Sequence, residues 1–300
     1  MLTPPEDVSE QDVAELLANR HAITASSVEY LAVGFGSHNY RVTDAAGSRW
    51  FVKIERETGP DRVATVTAAY ATAVDVAERC DLDFLITPVG PIAELSRRGV
   101  AVFPHVDGEP AGPGTHYPSE GDRAEVASMI GRLHACPPSD LAGREDFVIP
   151  LREELIAVKG TETGWDRGPH GPSTRYRLAA NAGRIADMFA RYDELVDAVD
   201  HDGWVVTHGE PHSSNVIRDR TGALYLADLD TMLLAPRERD LWDLDTDVPG
   251  PRPRPELLEL YRLRWDLGEI AEYAVHFHGP HDGSPDDEIR WRELEAYLPI

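Results

Sequence analysis

The sequence predicts an α+β fold in two lobes: a small antiparallel sheet with a helix, then a larger and mainly helical lobe. Three observations predict it. The first third alternates short β-like runs with Gly-containing turns, interrupted by an Ala- and Val-rich helix. Residues 104–120 then hold Pro and Gly at a density suited to a connector. Beyond them the apolar residues recur mostly at helical spacing. The boundary falls after Pro104, giving lobes of residues 1–104 and 105–300.

In order along the chain, residues 10–20 read as an amphipathic helix with Val13, Leu16 and Leu17 on one face. Val28 to Val33 reads as a strand running into Gly34-Phe-Gly-Ser-His-Asn39. Tyr40-Arg-Val42, a turn at Asp44-Ala-Ala-Gly47, and Trp50-Phe-Val-Lys-Ile54 continue an antiparallel meander. Pro60 to Arg79 is helical, with proline just inside its start. Leu85–Pro88 and Val100–Pro104 read as two further strands. The second lobe should hold helices over 121–135, 151–159, 175–199 and 255–278, with a loop from Gly160 to Ser173.

Composition excludes several classes. The net charge is −24, from 53 acidic and 29 basic residues, which argues against nucleic acid and anionic membranes as partners. A cationic ligand and plain solubility both fit it. The second lobe holds most of the excess: residues 1–104 net −6, the remainder −18. No apolar run approaches the roughly 18 residues of a membrane span, and the acidic start has no signal-like apolar core. Two cysteines, Cys80 and Cys136, make no disulfide framework and no four-thiolate zinc site, so a reducing cytoplasm fits best. Of the 29 basic residues only Lys53 and Lys159 are lysine, and a lysine in so arginine-rich a chain marks a place where a compact point charge suits.

The chemistry concentrates in Trp204-Val-Val-Thr-His-Gly-Glu-Pro-His-Ser-Ser-Asn-Val-Ile217 and Leu224-Tyr-Leu-Ala-Asp-Leu-Asp230. Two β-like runs, 204–206 and 224–227, flank His208, Glu210, Asn215 and Asp228, and read as a rigid hairpin presenting them from its ends. Asn215 and Asp228 supply the oxygen donors magnesium prefers, alongside phosphate. Glu210, five residues before the asparagine, is placed to take a proton from an attacking hydroxyl.

This stretch resembles the catalytic loop of the aminoglycoside and choline phosphotransferases, relatives of the protein kinases. Their His-Gly-Asp, four residues, Asn, then a metal-binding Asp about a dozen residues on, appears here as His208-Gly209-Glu210, Asn215 and Asp228. The resemblance implies a bilobal protein-kinase-like fold. It also implies that Gly34, Gly36 and Ser37 cover phosphate and that Lys53 pairs with the phosphates from the third strand. Phe103-Pro-His-Val-Asp-Gly108 resembles the hinge that carries adenine, which assigns Pro104 and Val106 to the nucleotide. Ile130-Gly-Arg-Leu-His134 matches the first large helix of the second lobe. Asp240 of Arg239-Asp240-Leu241 would brace the catalytic loop, with His208 in support. An actinobacterial subgroup shares the glutamate and an ending like Tyr261-Arg-Leu-Arg-Trp-Asp266. The implied reaction transfers the γ-phosphate of ATP, or GTP, to a hydroxyl with Mg²⁺ and no partner beyond a small-molecule substrate. Aminoglycosides and aminocyclitols fit the resemblance and the acidic second lobe. Choline, homoserine, sugars and macrolides use the same scaffold.

Two departures stand out. Glu210 is one methylene longer than the expected aspartate. The helix after Lys53 carries no acid until Asp75 and Glu78, so the lysine's partner is unassigned. These departures are what a nucleotide-binding pseudokinase without turnover would show. A protein kinase is disfavoured, because only eleven residues separate Asp228 from Asp240, too few for an activation loop. His212, Asp243, Asp266 and Glu269 are candidates for the substrate, with Asp245, Asp247 and Glu272 beside them. His276, His278 and His281 lack a supporting zinc-ligand pattern and read as a solvated helix end.

Overall fold

The computed structural model describes residues 2–34, 36–56, 59–114, 116–244 and 246–300. Phe35 of the glycine-rich turn and Asp245 of the acidic cluster therefore lie outside the described residues. The architecture is α+β, with antiparallel sheets and helices in two compact units, Met1–Glu145 with Asp202–Arg252, and Asp146–His201 with Pro253–Ile300.

The first unit opens with α1 (Glu10–His21). Ser9 accepts from the Asp12 N–H at 3.2 Å while the Asp12 carboxylate accepts from the Ser9 N–H at 2.8 Å, a reciprocal cap that fixes where the helix starts. A five-stranded antiparallel sheet follows, built from β1 (Ala25–Leu31), β2 (Ser37–Asp44), β3 (Arg49–Glu55), β4 (Ala93–Leu95) and β5 (Arg98–Pro104) in the order β1-β2-β3-β5-β4. Period-2 alternation gives its two faces different work. On one face Tyr40, Val42, Val52, Ile54, Val100 and Val102 pack against Val13, Leu16 and Leu17 of α1, each fully buried aliphatic chain contributing about 2 kcal/mol. The other face carries the register pairs Ser37–Glu55, Asn39–Lys53 and Lys53–Ala101.

That polar face lies under α2 (Pro60–Cys80). Tyr70 meets Phe103 edge-on at 5.5 Å, and Val66 sits over Gly99, where a Cβ would come within 3.1 Å of it. At the far end of α2, Cys80 forms a disulfide with Cys136, which follows α3 (Glu120–His134), the Cα atoms lying 6.1 Å apart. Two cysteines too few for a framework thus still make one bridge, because two helix ends meet there.

The remaining strands are β6 (Gly108–Pro110), β7 (Val205–Thr207), β8 (Val216–Asp219), β9 (Leu224–Leu226) and β10 (Leu233–Ala235). The hairpin expected between 204–206 and 224–227 does not form. β7 pairs with β10, and β9 pairs with β8, which pairs in turn with β6. The β8–β9 hairpin is thus nested between the strands of the β7–β10 pair along the chain. Residues 85–88 also form no sheet strand. Leu85 makes a parallel bridge to Leu226, with the Ile86 N–H donating to the Leu226 carbonyl at 2.9 Å.

The second unit is helical: α4 (Arg152–Lys159), α5 (Gly171–Ala180), α6 (Ala182–Asp197), α7 (Pro255–His278) and α8 (Pro285–Tyr297). α7 touches each of the other four. Leu155, Leu178, Ile185, Leu260, Leu267, Ile270, Phe277 and Leu294 form a buried apolar set among them. The single helix expected over 175–199 breaks at Asn181. Its side-chain amide donates to the Arg177 and Pro299 carbonyls, each at 3.0 Å, a local alternative to the helical ladder. The histidines at the end of α7 are not solvated as expected. His276 Nε2 is 2.6 Å from Asp287, and His281 Nε2 accepts from the His170 N–H at 3.0 Å. Among the described residues no helix is long and apolar enough to cross a membrane.

Candidate active site

The site lies within the first unit and is built on one buried carboxylate. Asp240 accepts from the His208 N–H at 2.9 Å and the Gly209 N–H at 2.6 Å, and lies 2.8 Å from His134 Nε2 on α3. Burial alone would raise its carboxyl, but the hydrogen bond and charge of His134, with His208 and Arg239, outweigh it and hold the group below the usual range. Three residues distant in sequence are thereby fixed as one corner.

His208 is wholly buried. Its Nδ1 accepts from the Glu210 N–H at 3.2 Å and its Nε2–H donates to the Ala227 carbonyl at 2.9 Å, which assigns the neutral tautomer. Burial depresses its basicity in the same direction. Gly209, at φ +102°, has no room for a side chain: a Cβ would come 2.5 Å from the Arg239 guanidinium and 2.6 Å from Thr231 Oγ1. The turn that aims the next residue therefore requires glycine.

That residue is Glu210, its side chain 38% exposed and its carboxylate 3.7 Å from His212 Nε2. Burial would raise the Glu210 carboxyl, but the neighbouring His212 brings it below its ordinary value. His212 is oriented by Ser214, whose hydroxyl lies 2.9 Å from Nδ1. The Asn215 amide nitrogen donates to the Glu210 carbonyl at 3.0 Å and lies 3.3 Å from His212 Nε2. With the nitrogen so committed, Asn215 Oδ1 is the atom left for a cation.

Asp228 follows β9 and is tied to Asn215 through the Ala227 N–H, which donates to the Asn215 carbonyl at 2.8 Å. Its φ of +63° lies in the left-handed region, which aspartate enters more readily than most residues with a Cβ. Its carboxylate contacts the Lys53 ammonium, and its side chain is 37% exposed. Two oxygen-bearing side chains, Asn215 and Asp228, thus fit a magnesium ion completed by phosphate oxygens and water. Among the described residues no group of three His, Cys, Asp or Glu side chains forms a metal site by itself.

Lys53 reaches across from β3. Besides Asp228 it meets Asp230 at 3.1 Å and Glu55 at 3.8 Å. Burial would lower its ammonium, but Asp228 and Asp230 more than offset that and hold it well above its ordinary value. The partner left unassigned in the sequence is neither Asp75 nor Glu78. Asp75 is held by Arg79 at 2.8 Å on the helix surface, and Glu78 is exposed. The helix instead contributes a cation, Arg62, which donates to Glu55 at 3.0 and 2.6 Å and to Asp230 at 2.7 Å. Burial raises the Asp230 carboxyl despite Lys53.

The glycine-rich turn is pinned beside this cluster. Gly34 and Gly36 take φ of +74° and +93°. The Asn39 amide donates to the Val33 carbonyl at 2.8 Å, the Ser37 hydroxyl donates to Asn39 at 3.2 Å, and the Arg56 N–H donates to the Gly36 carbonyl at 3.2 Å. Pro104 ends β5 opposite Trp50, and the next residue's N–H donates to the Arg49 carbonyl at 3.1 Å, leading to a half-buried Val106. Asp243 is exposed, and its charge acts on Tyr117, whose hydroxyl donates to the Pro211 carbonyl at 2.6 Å beside the catalytic loop. Asp266 and Glu269 belong to the second unit. They sit three residues apart on α7, where burial raises Asp266 and Glu269 accepts from the Tyr273 hydroxyl.

Sequence reading missed Glu55, Arg62, Asp230 and His134 as members of this network. Two had a usable signal: Glu55 shares a strand face with Lys53, and Asp230 stands two residues beyond Asp228.

Comparison with known proteins bears on this arrangement. A sequence model of the phosphotransferase enzyme family (APH) matches residues 27–273. Protein StrN of Streptomyces griseus is 34% identical over 216 residues, covering 67% of this chain, and the chain spans only 65% of that relative's length. Spectinomycin phosphotransferase in complex with ADP and spectinomycin superposes with a TM-score of 0.75 at 14% identity, over 97% of this chain and 95% of that one. Choline kinase LicA from Streptococcus pneumoniae gives 0.54 at 13% identity, over 96% and 98%. Macrolide 2'-phosphotransferase MphH from Brachybacterium faecium gives 0.52 at 17% identity, over 96% and 98%. At these identities the structural likeness establishes a common fold.

Proposed function

The chain belongs to the phosphotransferase enzyme family, and on that premise we propose that it transfers the γ-phosphate of ATP, with GTP as the alternative donor, to a hydroxyl of a small cationic molecule of the aminoglycoside or aminocyclitol class. The observation that carries this reading is the meeting of Lys53 with Asp228, beside a loop in which Asp240 fixes His208 and Gly209 and so aims Glu210. Neighbours solved with ADP and with AMP support a nucleotide donor. The spectinomycin complex supports an aminocyclitol-like acceptor.

In this reading residues 1–104 form the nucleotide lobe and residues 105–300 the catalytic and acceptor lobe. The backbone of Gly34, Gly36 and Ser37 covers the phosphates, Lys53 adds a point charge to them, and the chain from Pro104 to Val106 carries the base. Asn215 and Asp228 would hold magnesium, which supplies charge neutralisation between phosphate oxygens when bound. Glu210 accepts the acceptor's proton as its oxygen bonds to the γ-phosphorus and the bond to the nucleoside diphosphate breaks. His208 and Asp240 keep that carboxylate aimed. His212 and Asp243 stand near the loop for the acceptor.

The test is magnesium-dependent ADP formation across aminoglycosides, aminocyclitols, choline and hydroxylated amino acids, with Glu210→Ala alongside. Turnover on one class, reduced roughly 10²-fold or more in the variant with ATP binding retained, is expected. ATP binding with no turnover on any acceptor would leave a nucleotide-binding module, and no ATP binding would end the site assignment.

A further inference from the structure

Arg62 stands where helix physics disfavours it. It lies in the first turn of α2, at the positive end of the helix dipole, and Gly59 before the helix supplies no side-chain cap. Its guanidinium nonetheless turns inward, with Nε and one terminal nitrogen on Glu55 at 3.0 and 2.6 Å and the same terminal nitrogen on Asp230 at 2.7 Å. Both carboxylates also face Lys53, Asp230 at 3.1 Å and Glu55 at 3.8 Å. All three of these partners are more than nine-tenths buried. Lys53 additionally holds Asp228. Two cations therefore face three carboxylates, and Arg62 engages two of the three.

From this we infer that Arg62 is a positioning residue for the phosphate-facing lysine: by holding Glu55 and Asp230 it keeps Lys53 directed to Asp228 and the nucleotide. The inference rests on the function proposed above and adds to it a part played by charge reversal. The acid that pairs with Lys53 from this side is on the lysine's own strand, and the helix supplies the cation that restrains it. Without Arg62, Lys53 would be the single cation beside three carboxylates, and the buried pair would draw it away from phosphate. A lysine at position 62 restores the charge but not the planar fork that spans two carboxylates. Removing the charge of Glu55 relieves the competition instead.

The experiment measures magnesium-ATP affinity by calorimetry on the full chain and on Arg62→Ala, Arg62→Lys and the double variant Arg62→Ala/Glu55→Gln, with unfolding curves for each. Arg62→Ala should weaken magnesium-ATP binding about 10-fold or more, Arg62→Lys should recover part of the loss, and the double variant should recover more. A strut that only docks the helix would not be rescued by Glu55→Gln, so absence of rescue overturns the inference, as does unchanged affinity in Arg62→Ala. If Arg62→Ala fails to fold, Arg62→Lys and the double variant carry the same comparison. A wild-type chain that binds no magnesium-ATP overturns the proposed function itself, a result distinct from either.

Discussion

Replacing Asp240 with asparagine changes one atom type and should unseat the catalytic loop. The carboxylate receives hydrogen bonds from the His208 and Gly209 backbone at 2.9 and 2.6 Å and meets His134 at 2.8 Å, all with almost no access to water. An amide offers one accepting oxygen and turns two protons toward donors that need an acceptor. At least one backbone N–H is left facing an N–H, and the charge assistance to the others disappears. Charge-assisted bonds contribute about 1.5–3 kcal/mol each, so losing the equivalent of two places the destabilisation at about 3–6 kcal/mol. Urea unfolding followed by far-UV circular dichroism measures it, with Asp193→Asn as a control. That control removes a surface pair with Arg152 and should change stability by about 1 kcal/mol or less. The pH dependence gives a second reading. Because the folded carboxyl is held below its unfolded value, its stabilisation is present above the unfolded value and is lost as pH falls through the folded one. Asp240→Asn should lose that acid-side slope. A destabilisation under about 1 kcal/mol, with the slope intact, would refute the claim that Asp240 braces the loop.

Two further outcomes follow from the same geometry. Gly209→Ala must place a Cβ at φ +102° and 2.5 Å from the Arg239 guanidinium, so thermal unfolding should show a loss of about 2 kcal/mol or more, and a wild-type melting curve would contradict the tight turn. In the role proposed for it Glu210 has to be ionised, and His212, acting against burial, holds its carboxyl below the ordinary value, so activity should fail only as pH drops through that lowered value. His212→Ala leaves burial unopposed by that contact and should move the acid limb of the pH–rate profile upward; an unmoved limb would rule out the contact as its cause.

The sheet lobe was legible because its signals are local. Gly47 marks a turn, period-2 alternation marks strands β2, β3 and β5, and proline marks the start of α2, all within a few residues of the feature they specify. The candidate site was marked for a different reason: fixed spacing from His208 to Asp228 puts its groups at or beside the ends of short strands. Features decided by distant partners were not legible. Asn181 ends a helix by donating to Pro299, more than a hundred residues away, and nothing in the surrounding apolar pattern reports that bond. The nested pairing of β7 with β10 and β8 with β9 likewise depends on which short strand finds which edge, and strands three or four residues long carry too little pattern to choose.

The partners of Lys53 lie off α2, on its own strand and beyond β9, for an electrostatic reason. A protein-kinase-like arrangement would put an acid on α2, whereas electrostatics constrains only the charges that meet. A buried ammonium needs counter-charge close by, and a buried carboxylate needs a donor. Glu55 on β3 and Arg62 on α2 meet both needs with the elements exchanged. The exchange also accounts for the chain's use of lysine. Position 53 faces three carboxylates in different directions, which suits a compact ammonium with three donors, while position 62 spans two of them, which suits a planar fork. In a chain with two lysines among 29 basic residues, Lys53 is kept where a guanidinium would be forced to choose among its partners.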